Sequence, residues 1–321
     1  MSQSKHSDDH EISRVIREMK RAYDRGDNAM ATARKLLGNS ENLSVATLIA
    51  YDLQAGSYVA LAKENPQLRE TWSQQIVNFL NPLISGLKNF TILEVGCGEA
   101  TTLCHVLKNL QHKPSRALGF DLSWSRVRCG IKYLEDHNQD ASLFVADLFS
   151  IPLEDNSIDI VYTSHSLEPN GGQEEAAIKE LLRVARHAVV LIEPIYELAC
   201  EEAKKRMTHH CYVKDLKNTS IRLGASVKEY GLLEYTTNSL NPSGVLVLQK
   251  KVESHSGDED IHAGMIQWSC PITRSGLRDA KDVFLSDDTG LIYPVLRGIP
   301  LLRPQHAIVA SGLVKESNII S

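Results

Sequence analysis

The sequence predicts an α/β fold on a parallel sheet, with a helical segment before it and a small β-rich unit after it. Three observations carry this. From Thr91 onward, five short runs rich in Val, Ile, Leu and Phe alternate with stretches of helical periodicity. Such alternation makes a parallel sheet covered by helices on both faces. Polar residues and glycines gather at the carboxyl ends of these runs, where sheets of this kind bind ligands. The first ~90 residues lack such runs and show the three-to-four spacing of helices.

In chain order, "SRVIREMKRAYDRGDN" is charged with sparse apolar points and reads as a surface helix. "ENLSVATLIAYDLQAGSYVALAKE" is more apolar and is broken at Gly56. "ETWSQQIVNFLNPLISGL" places Trp72, Ile76, Phe79, Leu80 and Leu83 on one helical stripe. The strand candidates are "FTILEVGCG", "RALGFDLS", "SLFVADLF", "SIDIVYTS" and "HAVVLIEP". Between them lie "TTLCHVLKNLQ", "SWSRVRCGIKYLEDH" and "QEEAAIKELLRVARH", and in the last Ile178, Leu181, Leu182 and Ala185 form a sheet-facing stripe. "YELACEEAKKRMTHHCYVKDLKNTSIRLG" reads as a long helical insertion able to roof a pocket. "ASVKEYGLL" and "SGVLVLQKK" close the sheet. The expected division is 1–90 helical cap, 91–252 core, 253–264 polar linker and 265–321 terminal unit.

Composition narrows the function. A chain of 321 residues with net charge −5 has no basic surplus, which argues against nucleic acid as the main partner. No run approaches the ~18 apolar residues of a membrane span, and the N-terminus lacks a secretory signal's apolar core. Six cysteines, none in a two-residue pair, read as reduced thiols of a cytoplasmic protein. No histidine and carboxylate set has metal-ligand spacing, so no catalytic metal is expected.

The strand "TILEV" runs into Gly96-Cys97-Gly98, where glycine lets backbone approach a ligand. Position 101 is threonine, so the dinucleotide fingerprint is incomplete, and no Gly-Lys-Ser/Thr makes a phosphate loop. Glu94, just before the glycines, suits a cationic ligand.

"ILEVGCGEA", "GFDLS" and "FVADLFSIPLEDNSIDIVYTS" resemble successive motifs of class I S-adenosylmethionine-dependent methyltransferases, over about Thr91 to Val190. The resemblance implies a Rossmann-like sheet and S-adenosylmethionine as cofactor. Glu94, Gly96 and Gly98 would then line its methionine end. Asp121 would accept the ribose hydroxyls, and Asp147 the adenine amino group, with Leu148 beside the ring. Ala100 departs from the family's third glycine. "AYDLQAGSYVALA" is similar to the N-terminal lid of such enzymes, so Tyr51 or Tyr58 would cover the methionine moiety; the plainer reading is two half-buried helix tyrosines.

"TSHSLEPNGG" would then stand beside the methyl group. His165 has the pKa range of a base for a hydroxyl acceptor. Glu168 could orient it or bind an amine, and Asn170 could read donors and acceptors. The plain alternatives are a histidine satisfying backbone groups and a Pro/Gly turn. Glu193 and Tyr196 would face the same cleft, while His209 and His210 read as a solvated helix end.

The tail, "WSCPITRSGLRDAKDVFLSDDTGLIYPVLRGIPLLRP", resembles the small zinc-ribbon-like activator of tRNA and release-factor methyltransferases. Its metal ligands are missing: Cys270 stands alone and Thr273 replaces a second ligand. A β-rich lid, or a surface for a homodimer, is the expectation. The reading is thus a methyltransferase of a small-molecule acceptor, at oxygen with His165 as base. A tRNA or protein methyltransferase, and a non-catalytic binding module, are the rivals.

Overall fold

The computed structural model describes residues 3–37, 44–250 and 266–313. The expected linker, 253–264, lies outside the described residues. Five helices come first: α1 (Gln3–Asp24), α2 (Ala29–Leu37), α3 (Ser44–Leu53), α4 (Ser57–Glu64) and α5 (Pro66–Ile84). Pro66 opens α5 at a position where its missing N–H costs nothing. Met19, Ala29, Ala33, Ala46 and Ala50 knit α1 to α3 into a small separate core. Trp72, Ile76 and Leu80 turn α5 onto the sheet, as their spacing predicts, with Phe79 and Leu83 partly buried beside them.

The sheet strands are β1 (Thr91–Val95), β2 (Arg116–Asp121), β3 (Ser142–Val145), β4 (Ile158–Ser164) and β5 (Ala185–Pro194), followed by β6 (Ser226–Leu232) and β7 (Ser243–Gln249). Three helices connect the first five strands: α6 (Thr101–Asn109), α7 (Trp124–Asp136) and α8 (Glu174–Val184). The seven strands order as β3-β2-β1-β4-β5-β7-β6, parallel except for β7, which runs against both its neighbours. All five residues of β1 are buried, as a central strand covered on both faces requires. Ile178 and Leu181 of α8 are fully buried against the sheet. The order reverses between β1 and β4, and a crevice opens there beyond the strands' carboxyl ends.

The insertion after β5 is not one long helix. It makes α9 (Glu201–His209) and α10 (Leu216–Arg222) around an irregular turn. That turn docks on the loop after β4: Gly171 N–H donates to the Cys211 carbonyl at 3.0 Å, and Val213 N–H to the Glu168 carbonyl at 3.1 Å.

The C-terminal unit holds β8 (Arg278–Asp279), β9 (Val283–Leu285), β10 (Leu291–Leu296), β11 (Ile299–Pro300) and β12 (Ile308–Val309) in a second sheet. It packs against the edge of the first. Trp268 sits edge-on to Phe144 at 5.0 Å and to Phe284 at 5.2 Å. Leu302 N–H donates to the Val145 carbonyl at 2.8 Å, and Cys270, Phe284, Tyr293 and Leu302 share one buried core with β1 to β5. Cys270 Sγ meets Tyr293 Oη at 3.2 Å. Among the described residues, no group of three or more His, Cys, Asp or Glu is placed to hold a metal.

No single helix among the described residues is long and apolar enough to cross a membrane; α3 and α4 reach that composition only as a pair bent by 46°. That bend folds them over the crevice.

Candidate active site

A cavity of about 420 Å³ fills the crevice, a size usual for small-molecule sites. It brings together Tyr51, Glu94, Gly96, Gly98, Asp121, Asp147, Leu148, His165, Glu168 and Asn170, but not Glu193 or Tyr196.

Gly96 and Gly98 have φ of 69° and 54°, and a Cβ at either would strike Ser166 Cβ at 2.3 Å or the Arg126 guanidinium at 2.6 Å. Only glycine fits both the backbone and the space. Ala100 has a left-handed φ of 53°, so the position of the missing third glycine carries alanine in a strained conformation.

Asp121 ends β2 with each carboxylate oxygen held by one backbone N–H: Gly98 to Oδ2 at 3.1 Å and Ser123 to Oδ1 at 3.0 Å. Each oxygen keeps lone-pair capacity for a hydroxyl. The helix cap is Ser123, whose Oγ accepts from Arg126 N–H, so Asp121 is left to the cavity. Asp147 Oδ1 accepts from Phe149 N–H at 3.0 Å, and Leu148 is buried beside it. Glu94 is 2% exposed; burial pushes its carboxyl up to about 8, although Tyr162 Oη donates to it at 3.1 Å. A buried carboxyl held near neutrality is ready to ionise against an incoming cation.

The same cavity is lined by Trp72, His165 and Glu168. His165, with φ of 56°, has both ring nitrogens engaged: Nδ1 with Glu168 Oε2 at 2.8 Å and Nε2 with Ser243 Oγ at 2.7 Å. Burial pulls its pKa down, but Glu168 and then Glu193 outweigh that and leave it raised. Trp72 stands edge-on to the ring at 5.4 Å and donates to Ser164 Oγ at 3.2 Å. Asn170 lines the cavity, but its amide nitrogen is spent on the carbonyls of Ser166 and Leu167 at 3.1 and 3.2 Å. It stiffens the turn more than it reads a substrate.

Glu193 departs from expectation. It is fully buried and does not line the cavity; its oxygens accept the N–H groups of Ser166, Leu167 and Glu168 at 3.0 to 3.1 Å. It anchors the loop that carries His165, and burial raises it to about 7. Tyr196 lies away from the cavity, with Lys214 Nζ 4.5 Å from its ring centroid. The insertion does not roof this cavity either. His210 and Tyr212 instead line a neighbouring one of about 290 Å³, which shares Thr47, Tyr51, Glu168 and Pro169 with the first.

Sequence reasoning missed the residues that hold the α3–α4 corner down. Glu99, 1% exposed, accepts from the N–H groups of Gly56, Tyr58 and Val59 at 3.0, 3.4 and 2.8 Å, capping α4 where Gly56 has no side chain to do so. Asp52 Oδ1 accepts from Ser123 Oγ at 2.6 Å. Arg126 lies under Tyr51 and Tyr58, 5.2 and 4.6 Å from their ring centroids, and 3.9 Å from Glu99. The available signal was the acid directly following Gly98 and an arginine three residues past Ser123, on the first turn of a helix that starts at the site.

Part of the chain is similar to known proteins. Residues 92–188 match the family described as "Methyltransferase domain". Norajmaline N-methyltransferase of Rauvolfia serpentina is 33% identical over 98 residues, 29% of this chain. The match spans about a third, 32%, of that curated relative's length. Among solved structures, a complex of the Haloferax volcanii Trm112 methyltransferase activator and a methyltransferase gives a TM-score of 0.48 at 14% identity, covering 64% of this chain and 99% of that one. Magnesium protoporphyrin IX methyltransferase of Synechocystis PCC 6803, with bound SAH, gives 0.48 at 13%, covering 64% and 100%. Both likenesses are distant. The likeness to the methyltransferase-domain family thus lies in residues 92–188, the part of the chain that builds β1 to β5 and the floor of the cavity.

Proposed function

We propose that the chain is an S-adenosylmethionine-dependent methyltransferase acting on a small-molecule acceptor, at oxygen, with His165 as base. The observation that supports this most is the single cavity joining Glu94, Asp121 and Asp147 on one side to Trp72, His165 and Glu168 on the other. When bound, the cofactor supplies an activated methyl group. Glu94, Gly96 and Gly98 would hold its methionine end, Asp121 its ribose, and Asp147 with Leu148 its adenine. Tyr51 and Tyr58 close over that side and keep water out.

Neutral His165 donates from Nδ1 to Glu168, which fixes the tautomer and leaves Nε2 as the proton acceptor. Ser243 Oγ occupies Nε2, so an acceptor hydroxyl takes that hydrogen bond in Ser243's place. Glu193 keeps the loop rigid enough for the ring to stay aimed.

A second reading follows from the same hydrogen bond. With both nitrogens engaged, His165 serves as a strut for Glu168, whose carboxylate would bind an amine acceptor; norajmaline N-methyltransferase is named for transfer to nitrogen. Methyl transfer from labelled cofactor to pooled metabolites separates the two. Under the oxygen reading, His165→Ala keeps cofactor affinity and lowers turnover by ~10²–10⁴, with a wild-type rate that rises with pH through the histidine's raised pKa. Activity retained within about threefold would remove the base. A homodimer would use β12, whose Ile308 and Val309 are 48% and 80% exposed, because the other face of the C-terminal unit is committed to β3.

A further inference from the structure

We infer that Arg303, in the C-terminal unit, is a positioning residue for the adenine end of the cofactor cavity and acts through Asp147. The inference rests on the cofactor reading above and adds a contributor from a part of the chain that lines none of that cavity.

The chain after β11 runs alongside the end of β3. Val145 bridges Leu301 in parallel, and Leu302 N–H donates to the Val145 carbonyl at 2.8 Å. Two residues further along each chain stand Asp147 and Arg303. In a parallel pairing, residues two apart on both chains return to the same face side by side. The docking of the C-terminal unit therefore delivers a guanidinium to the neighbourhood of the cavity's adenine-end carboxylate.

Arg303 is 7% exposed, and its Nε has no hydrogen-bond partner among the described residues. Burying a guanidinium with an unpartnered Nε is costly, and a nearby negative charge offsets part of that cost. Burial pulls the guanidinium's pKa below its ordinary value, and Asp147 is the carboxylate opposing that pull. Asp147 itself spends Oδ1 on Phe149 N–H, leaving Oδ2 for the cavity. The guanidinium's charge on that side draws the carboxylate toward one orientation, which an acceptor of an amino group needs.

The test is calorimetry with S-adenosylhomocysteine on wild type, Arg303→Leu, Arg303→Lys, Asp147→Asn and the Arg303→Leu/Asp147→Asn double variant, each checked for folding by its thermal transition. Arg303→Leu should weaken binding about tenfold, the scale of lost support for one charge-assisted hydrogen bond. Arg303→Lys should recover most of it. In the Asp147→Asn background the same Leu substitution should cost less than about twofold, because the coupling partner is gone. S-inosylhomocysteine, which lacks the 6-amino group, should bind wild type and Arg303→Leu equally. Unchanged affinity in a folded Arg303→Leu, or a loss that simply adds to that of Asp147→Asn, overturns the inference. If Arg303→Leu does not fold, Arg303→Lys and Asp147→Asn decide it: a lysine variant as weak as Asp147→Asn overturns it. Binding absent from wild type overturns the cofactor reading and this inference together, whereas binding in wild type with additive losses overturns this inference alone.

Discussion

Glu94 carries the sharpest residue-scale consequence. Buried beneath the glycine loop, its carboxyl titrates at about 8 and is protonated at neutral pH while the cavity lacks a cation. Pairing with the ammonium of S-adenosylhomocysteine requires the proton to leave. Binding should therefore strengthen by up to about tenfold per pH unit between pH 6 and 8 and level off above. Glu94→Gln should bind more weakly and lose most of this slope. Isothermal titration across that range checks it, and a flat wild-type profile would place the ammonium elsewhere. Glu94 was legible in the sequence because it stands two residues before Gly96, at the end of an apolar strand. Its raised pKa was not, since that follows from burial in the folded sheet, which outweighs the Tyr162 hydrogen bond.

At the scale of elements, the α3–α4 corner is held by a carboxylate that belongs to the glycine loop. Glu99→Ala leaves the N–H groups of Gly56, Tyr58 and Val59 without their acceptor. At about 1–3 kcal/mol for an orphaned buried group, the corner should open before the rest of the fold. Limited proteolysis should then cut faster between residues 44 and 65, with protection partly restored by S-adenosylhomocysteine; equal cleavage in both proteins would mean the corner is held by apolar packing alone. Strands were the most legible elements, because central parallel strands must be apolar on both faces and therefore appear as short unbroken runs. The insertion was the least. Its helical periodicity is real in α9 and α10, but the break between them is set by the backbones of Gly171 and Glu168, which hydrogen-bond Cys211 and Val213 from across the chain, and no local signal encodes that. The same holds for Glu193, whose place at the end of β5 suggested the cleft, whereas three backbone donors from the β4 loop claim its oxygens.

Across the whole molecule, buried ionisable groups make stability fall as pH rises. Glu94 and Glu193 have folded values of about 8 and 7 against an ordinary 4.5, so ionising them costs the fold progressively above pH 4.5. His165, raised above 6.5, adds stability at lower pH that is lost as pH climbs through its folded value. Asp159 works the other way: lowered to about 2 despite burial, by His187, Thr91 and Arg186, it stabilises above 3.8 and loses that contribution as pH falls through 2. The thermal midpoint should therefore be higher at pH 5.5 than at 8.5. Glu94→Gln should narrow the difference, and a midpoint that rises over this interval would contradict the burial assigned to these groups.

Binding of the cofactor in the crevice between β1 and β4 is the central consequence of its residues. Calorimetry with S-adenosylhomocysteine measures this directly. One site per chain in the micromolar range, roughly −8 kcal/mol, is the expected result. Asp121→Ala should weaken it by ~1.5–3 kcal/mol through lost charge-assisted hydrogen bonds to the ribose, with the fold intact. No heat of binding in wild type, or an affinity unmoved by Asp121→Ala, would contradict it.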